Sequence, residues 1–234
     1  MRKIAVLTGA GISAESGIST FRDANGLWEN HDVMDVASPD GWRKNPELVL
    51  KFYNDRRRQL KDVQPNLGHL ALKKLEEAFD VFVITQNVDD LHERAGSSKV
   101  LHLHGQLRKA RSTGMPPIIY DWEDDLNWGD LCERGDQLRP HIVWFGEPVP
   151  LLEPAAEIVK TADIVIIIGT SLQVYPAAGL YEFAPPNAQI YYIDPKPQPT
   201  HHLVANPKAT ILEEKATVGV PALVEQLIQF ENFI

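Results

Sequence analysis

Short apolar runs that end in glycine or polar residues recur along the chain, and their spacing sets its architecture. Residues 4–7, 81–85, 100–105, 138–145, 162–168, 189–193 and 210–213 read as strands, the run at 162–168 being the most apolar. Helical patterns lie among them. Residues 46–60 open on Pro46, which suits a first turn, and carry Leu48, Phe52 and Leu60 on one face, with an arginine triplet at 56–58 expected on the solvated side. Residues 65–78 and 220–230 predict two more helices. Such an alternation describes an α/β chain with parallel strands, and ligands of these sheets bind outside the carboxyl ends of the strands.

The first such end is Thr8-Gly9-Ala10-Gly11-Ile12-Ser13-Ala14, a Gly-x-Gly-x-x-Ala turn predicted to feed a helix N-terminus. Gly9 permits a tight turn, Gly11 lets a pyrophosphate approach the backbone, and Ala14 keeps helix and strand close. The same small residues also end ordinary strand-to-helix units. No acidic residue on a second strand follows at the Rossmann distance. A polar loop with Phe21, Arg22 and Trp28 follows instead, suited to cover a bound cofactor or to anchor its aromatics in the core. At the next strand end, Gln86-Asn87-Val88-Asp89 is readable as ligand contacts or as helix caps. Alternation puts His102 and His104 on one strand face before Gly105. A histidine there fits a hydrogen-bonded core residue or, titrating near neutrality, a general base. Gly169-Thr170-Ser171 offers a small residue and two hydroxyls to a ribose or phosphate.

Composition narrows the partners. With 23 Lys and Arg against 32 Asp and Glu, the net charge of −9 argues against a nucleic-acid surface and leaves room for a lysine-bearing peptide. Cys132 is the only cysteine, which rules out an intramolecular disulfide and a four-thiolate zinc site. A reducing, cytoplasmic setting is expected. No run approaches the roughly 18 to 20 apolar residues of a membrane span, so no membrane association is expected.

Gly9-Ala10-Gly11 with the loop to Trp28, Thr85-Gln86-Asn87-Val88-Asp89, Leu103-His104-Gly105 and Phe145-Gly146-Glu147 together resemble the signatures of the sirtuins, NAD-dependent protein deacylases. They occur in that family's order over essentially the whole chain. The resemblance implies a doubly wound, six-stranded parallel Rossmann-type sheet from about residues 1–29, 65–105 and 141–234. A smaller module comes from about 30–64 and 106–140, and NAD, consumed as co-substrate, lies between. It implies cofactor contacts at Gly9, Ala10, Gly11, Ser13, Glu15, Phe21, Arg22, Trp28, Gln86, Asn87, Val88, Asp89, His104, Gly169, Thr170, Ser171 and Ala216. Gln86 would meet the ribose, Asn87 and Asp89 would organise the nicotinamide pocket and its water, and His104 would be the general base. His102 is read as structural. Val143, Phe145, Gly146 and Glu147 would hold an extended acyl-lysine peptide by backbone pairing.

In the implied reaction the acyl-lysine oxygen displaces nicotinamide, the acyl group passes to the ribose 2′-oxygen and lysine is freed. A monomer acting on acyl-lysine proteins is expected. A nicotinamide-dependent oxidoreductase and a non-catalytic NAD-binding sensor would use the same glycine turn. Most sirtuins tie the small module together with zinc on two cysteine pairs. Here Ser112 lies near the place of the first cysteine, so no zinc is expected and packing of Trp122, Trp128 and Leu131 is expected to hold the module. The family commonly carries asparagine where Tyr192 aligns, at the adenosine end.

Phe52-Tyr53-Asn54-Asp55-Arg56 sets Tyr53 and Arg56 on one helix face. A guanidinium grips both oxygens of a carboxylate and a phenol adds a hydroxyl. On spacing alone, a snorkelling arginine beside a core tyrosine is the commoner arrangement. The Tyr-x-x-Arg pattern resembles that of sirtuins acting on succinyl- and malonyl-lysine, which implies desuccinylase and demalonylase activity beside deacetylation.

Overall fold

The computed structural model describes residues 1–19, 27–28 and 31–232. In chain order the strands are β1 (Lys3–Thr8), β2 (Leu27–Trp28), β3 (His31–Asp32), β4 (Asp80–Thr85), β5 (Val100–His102), β6 (Gly105–Ser112), β7 (Ile119–Asp121), β8 (Leu138–Ile142), β9 (Ile164–Ile168), β10 (Gln189–Ile193) and β11 (Ala209–Leu212). The helices are α1 (Val33–Val36), α2 (Pro39–Lys44), α3 (Pro46–Asp62), α4 (Leu67–Leu75), α5 (Leu91–Arg94), α6 (Leu152–Lys160), α7 (His201–Ala205) and α8 (Ala216–Asn232). Among the described residues no helix is long and apolar enough to cross a membrane.

Six strands form one parallel sheet in the order β11-β10-β9-β1-β4-β5. The chain runs outward from β1 through β4 to β5, then restarts at β9 on the other side of β1. That reversal makes the crevice at the carboxyl ends of β1, β4 and β9 the place for a ligand. β9 is buried on both faces along its whole length, which explains its unbroken apolar run. Leu72 and Leu75 of α4 and Leu223 and Val224 of α8 cover one face, and Val159 of α6 with Leu180 and Tyr181 cover the other. Full burial of each such side chain contributes roughly 1.5–3 kcal/mol.

The predicted helix after the first glycine turn is absent. Two 3₁₀ turns, Ala10–Ile12 and Ala14–Ser16, take its place, and the second ends at Gly17 with φ +96°. A cause lies far along the chain. A Cβ on Gly11 would stand 2.5 Å from the Cα of Gly169, and the Gly11 N–H donates to the Gly169 carbonyl at 2.8 Å. The small residues here let two strand-end loops touch.

The second part of the molecule is an antiparallel ribbon, β7-β6-β8, packed on α3. Asn45 caps α3 through its side chain, accepting from the Leu48 N–H at 3.1 Å, and Pro46 follows at the first turn. Arg57 departs from the expectation of a solvated triplet: it is 2% exposed. Its Nε donates to the Leu107 carbonyl at 2.9 Å and its Nη1 to Asn54 Oδ1 at 2.7 Å. Asn54 in turn pairs with both backbone groups of Leu126. The ribbon's apolar core is Leu50, Ala110, Leu126, Cys132 and Leu138, flanked by Trp122. Trp128 and Leu131, expected to hold this module, are 58% and 56% exposed. Ser112, by contrast, is buried and accepts from the Ile118 N–H at 2.9 Å and from Arg134 Nη2 at 3.2 Å. Arg134 also pairs with Asp136, which accepts from the Cys132 thiol. Among the described residues no group of three or more His, Cys, Asp or Glu side chains is set to hold a metal ion.

Candidate active site

The carboxyl ends of β1, β4 and β9 meet through side chains. Ser13 is the centre of one cluster: its hydroxyl accepts from Asn87 Nδ2 at 3.1 Å and donates to Asp89 Oδ2 at 3.0 Å. His69 completes it. The Asn66 N–H donates to His69 Nδ1 at 3.3 Å, so Nε2 carries the hydrogen and points it at the Ser13 oxygen, 3.5 Å away. Burial pushes His69 down to about 4, which keeps the ring neutral. Asp89 is pushed up by burial, against the Leu91 N–H and the Ser13 hydroxyl, which favour its carboxylate. Gln86 reaches across the top of β1 to Thr170, Nε2 to Oγ1, at 3.4 Å.

His104 stands beside this cluster. β5 ends at His102, so His104 sits in the turn before β6 and strand alternation does not set its direction. Its ring is oriented by the Gln86 carbonyl, 3.1 Å from Nδ1. A carbonyl can only accept, so Nδ1 carries the hydrogen and Nε2 keeps its lone pair. Burial lowers the affinity of this imidazole for a second proton, the Gln86 contact acting in the opposite sense. A neutral ring with one nitrogen held and the other free is the form a general base needs.

The other residues singled out in the sequence fall in three places. Gly9, Ala10, Gly11, Gly169, Thr170 and Ser171 make the paired loops over the sheet, with the Gly9 N–H donating to the Ile168 carbonyl at 3.0 Å. Glu15 accepts from the backbone N–H of Thr217 at 3.2 Å and from its hydroxyl at 2.7 Å, beside buried Ala216. Its carboxylate therefore serves the start of α8. Trp28, Arg56, Val88 and Asp89 line one small cavity with Ile18 and Leu107. Phe21 and Arg22 lie outside the described residues. A larger cavity, between Lys51 and Arg58 of α3 and Trp128, contains none of the predicted site residues.

Tyr53 is fully buried, and its hydroxyl accepts from the Trp144 indole N–H at 3.0 Å. Burial pushes this phenol well up, so it stays protonated. Arg56 has no ion-pair partner among the described residues. Its Nε is buried without a hydrogen bond, and its guanidinium lies 4.7 Å from the centre of the Phe52 ring. In the segment after β8, the N–H groups of Val143, Phe145 and Glu147 are already used, by His104, Ala37 and Trp144. The Glu147 carboxylate accepts from Arg139, Arg111 and the Trp144 N–H, so it holds the turn. Pro148 and Pro150 have no N–H to give, so the backbone donors left in this segment are those of Gly146 and Val149.

A sequence model of the Sir2 family matches residues 9–176. The chain belongs to the Sir2 family. It is 59% identical over 232 residues to a Helicobacter pylori protein named NAD-dependent protein deacylase, covering 99% of this chain and all of that one. A Bacteroides thetaiotaomicron protein of the same name is 52% identical, covering 97% of this chain and 99% of the other. Among solved structures, a Sir2 homologue in complex with NAD superposes with TM-score 0.87 at 38% identity, covering 98% of this chain and 90% of that one. A Sir2 homologue bound to ADP-ribose gives 0.88 at 39%, covering 99% of this chain and 94% of that one.

Within this Sir2 fold, three residues escaped the sequence reading. His69 carries a signal in the sequence, since its place three residues after Asn66 is the spacing of a capping box, which it forms. Trp144 lies between Val143 and Phe145, and its contact with the Tyr53 hydroxyl is what marks it. Asp194 directly follows β10 and is buried, whereas Tyr192, two residues earlier, points into the core and donates to the Thr170 carbonyl at 2.8 Å. Tyr192 thus positions a loop of the site, and the strand-end place belongs to Asp194.

Proposed function

We propose that the chain is an NAD-dependent protein-lysine deacylase that removes succinyl and malonyl groups as well as acetyl groups, yielding nicotinamide, 2′-O-acyl-ADP-ribose and free lysine. The observation that carries the acyl preference is Arg56. A half-buried guanidinium with no ion-pair partner among the described residues, and with its Nε unbonded, shares a cavity with Val88 and Asp89 of the polar strand end. An acyl chain entering that cavity with a terminal carboxylate supplies the missing anion. The small backbone of Gly9, Gly11 and Gly169 and the polar groups of Gln86, Asn87 and Asp89 fit a dinucleotide at the switch point.

NAD supplies an electrophilic ribose carbon with nicotinamide as leaving group. Asn87, Asp89 and Ser13 bind and orient at the nicotinamide end, and His104 Nε2 takes a proton from a ribose hydroxyl. The single cysteine and the net charge of −9 support a zinc-free, cytoplasmic enzyme with peptide rather than nucleic-acid partners.

The test is incubation with NAD and matched acetyl- and succinyl-lysine peptides. Nicotinamide release coupled to lysine unmasking is expected; reduced cofactor would mean an oxidoreductase, and no turnover a sensor. Arg56→Met should slow desuccinylation at least about tenfold more than deacetylation, and Arg56→Lys should restore only part, because an ammonium lacks the planar fork. Equal slowing of both reactions would assign Arg56 to the fold or the cofactor.

A further inference from the structure

Three consecutive carbonyls of the loop after β4 are held from the next stretch of chain. His104 holds that of Gln86, His102 that of Asn87, and the Leu107 N–H that of Val88, at 3.1, 3.1 and 2.8 Å. The middle contact is unlike the others, because His102 is engaged at both ring nitrogens. Its Nε2 lies 2.6 Å from Glu93 Oε1 on α5, and the ring is almost entirely buried. We propose that His102 is a positioning residue for the reaction, fixing the peptide plane of Asn87 and so aiming the Asn87 amide and the Asp89 carboxylate at the nicotinamide. The functional half of this inference rests on the deacylase reading above, though not on the role of Arg56.

The chemistry of the partners defines the working form. A carbonyl oxygen and a carboxylate oxygen both only accept, so the ring satisfies both only with hydrogen on each nitrogen. Its charge is then balanced by Glu93, whose carboxyl burial pushes up but whose bond from His102 brings it below its usual value. Loss of either ring hydrogen breaks one of the two bonds and loosens the clamp. The charged and titratable groups that act on this pair are Glu93 and His92 of α5, Asp89 of the loop, Lys109 of β6 and His141 of β8. Lys109 opposes a positive ring and Asp89 and Glu93 favour it, while burial lowers His92 and His141 and keeps both neutral. Glu93 alone touches it, so it controls the hydrogen on Nε2.

The experiment compares wild type, His102→Gln and Glu93→Gln. Nicotinamide–NAD exchange and deacetylation should fall about tenfold or more in His102→Gln, the scale of a slightly misplaced catalytic group. Affinity for ADP-ribose, which lacks nicotinamide, should stay within about twofold, a split that general loosening of the fold would not give. In Glu93→Gln exchange should also fall severalfold, because the ring loses the carboxylate that holds its Nε2. In ¹⁵N-histidine spectra, with His102 assigned by its loss in His102→Gln, both ring nitrogens should carry hydrogen in wild type at the assay pH and one in Glu93→Gln. A singly protonated ring in wild type overturns the inference, as does unchanged exchange in Glu93→Gln. The spectra need no turnover, so they stand even if the deacylase reading fails. Glu93 is partly exposed, so nicotinamide–NAD exchange in its variant still tests the inference if His102→Gln does not fold.

Discussion

The six-stranded sheet and the ribbon with α3 are held by different forces. In the sheet, Ile164, Ile166 and Ile168 meet leucines and valines of α4 and α8, and the contacts are apolar on both sides. In the ribbon, a small apolar core is supplemented by polar groups that reach for single atoms: Arg57 for the Leu107 carbonyl, Asn54 for both backbone groups of Leu126, Arg139 and Arg111 for Glu147. Apolar burial is non-directional and survives small changes of shape. A buried hydrogen bond fails at once when one partner is removed, leaving the other desolvated. The sheet thus gives a stiff platform for chemistry common to every acyl group, and the ribbon with α3 gives a side wall whose shape depends on individual polar residues.

The largest expected effect is at the seam. His104→Ala should lower turnover of acetyl and succinyl substrates alike, by roughly 100-fold or more, with NAD affinity nearly kept. Near wild-type turnover would remove His104 from the mechanism. Since the base must be neutral and burial lowers its pKa from 6.5, the wild-type rate should hold as pH falls to 6.5 and be lost only below it. An acid limb above that value would contradict the assignment.

Next come two truncations that set the regions against each other. Ile166→Ala should cost the whole chain about 2–5 kcal/mol, read from urea unfolding as one shifted transition. Asn54→Ala strands the Leu126 amide and carbonyl and should cost about 1–3 kcal/mol. Its mark should be local: faster hydrogen exchange across 105–142 with sheet amides unchanged. Uniform acceleration over both parts would abolish the contrast drawn above. The smallest effect is that of a chelator. Melting should not shift and elemental analysis should find no stoichiometric zinc, because one thiol cannot build the tetrahedral site. Zinc lost together with stability would break the claim.

The fold class and the family were legible because a buried strand writes an unbroken apolar run and each strand end carries a short polar signature. What escaped depends on contacts between distant residues. The helix predicted after Gly11 is excluded partly by the Gly169 backbone, which no local window contains. Arg57 was hidden by its polarity rather than its position, since Leu50, Tyr53, Asn54 and Arg57 repeat at the spacing of one helical face and all are buried. Trp128 and Leu131 were expected inside for their apolar character alone, while Ser112 and Arg134 do part of the holding through hydrogen bonds. In the site, the motifs named Ser13, Asn87, Asp89 and His104, but nothing in their spacing announced that His69 and His102 hold them.

The place of β1 in the middle of the sheet also bears on how the protein is made. Its Lys3 N–H donates to the Asp163 carboxylate, 160 residues further on. At roughly 5–20 residues per second, a ribosome needs roughly 10–30 s to deliver that partner. Meanwhile β4 covers one edge of β1, and the other edge keeps its backbone N–H and C=O groups unpaired. The nascent chain therefore passes through an interval in which an unpaired strand edge is offered to any neighbouring polypeptide, a hazard that belongs to synthesis and is gone once β9 has paired.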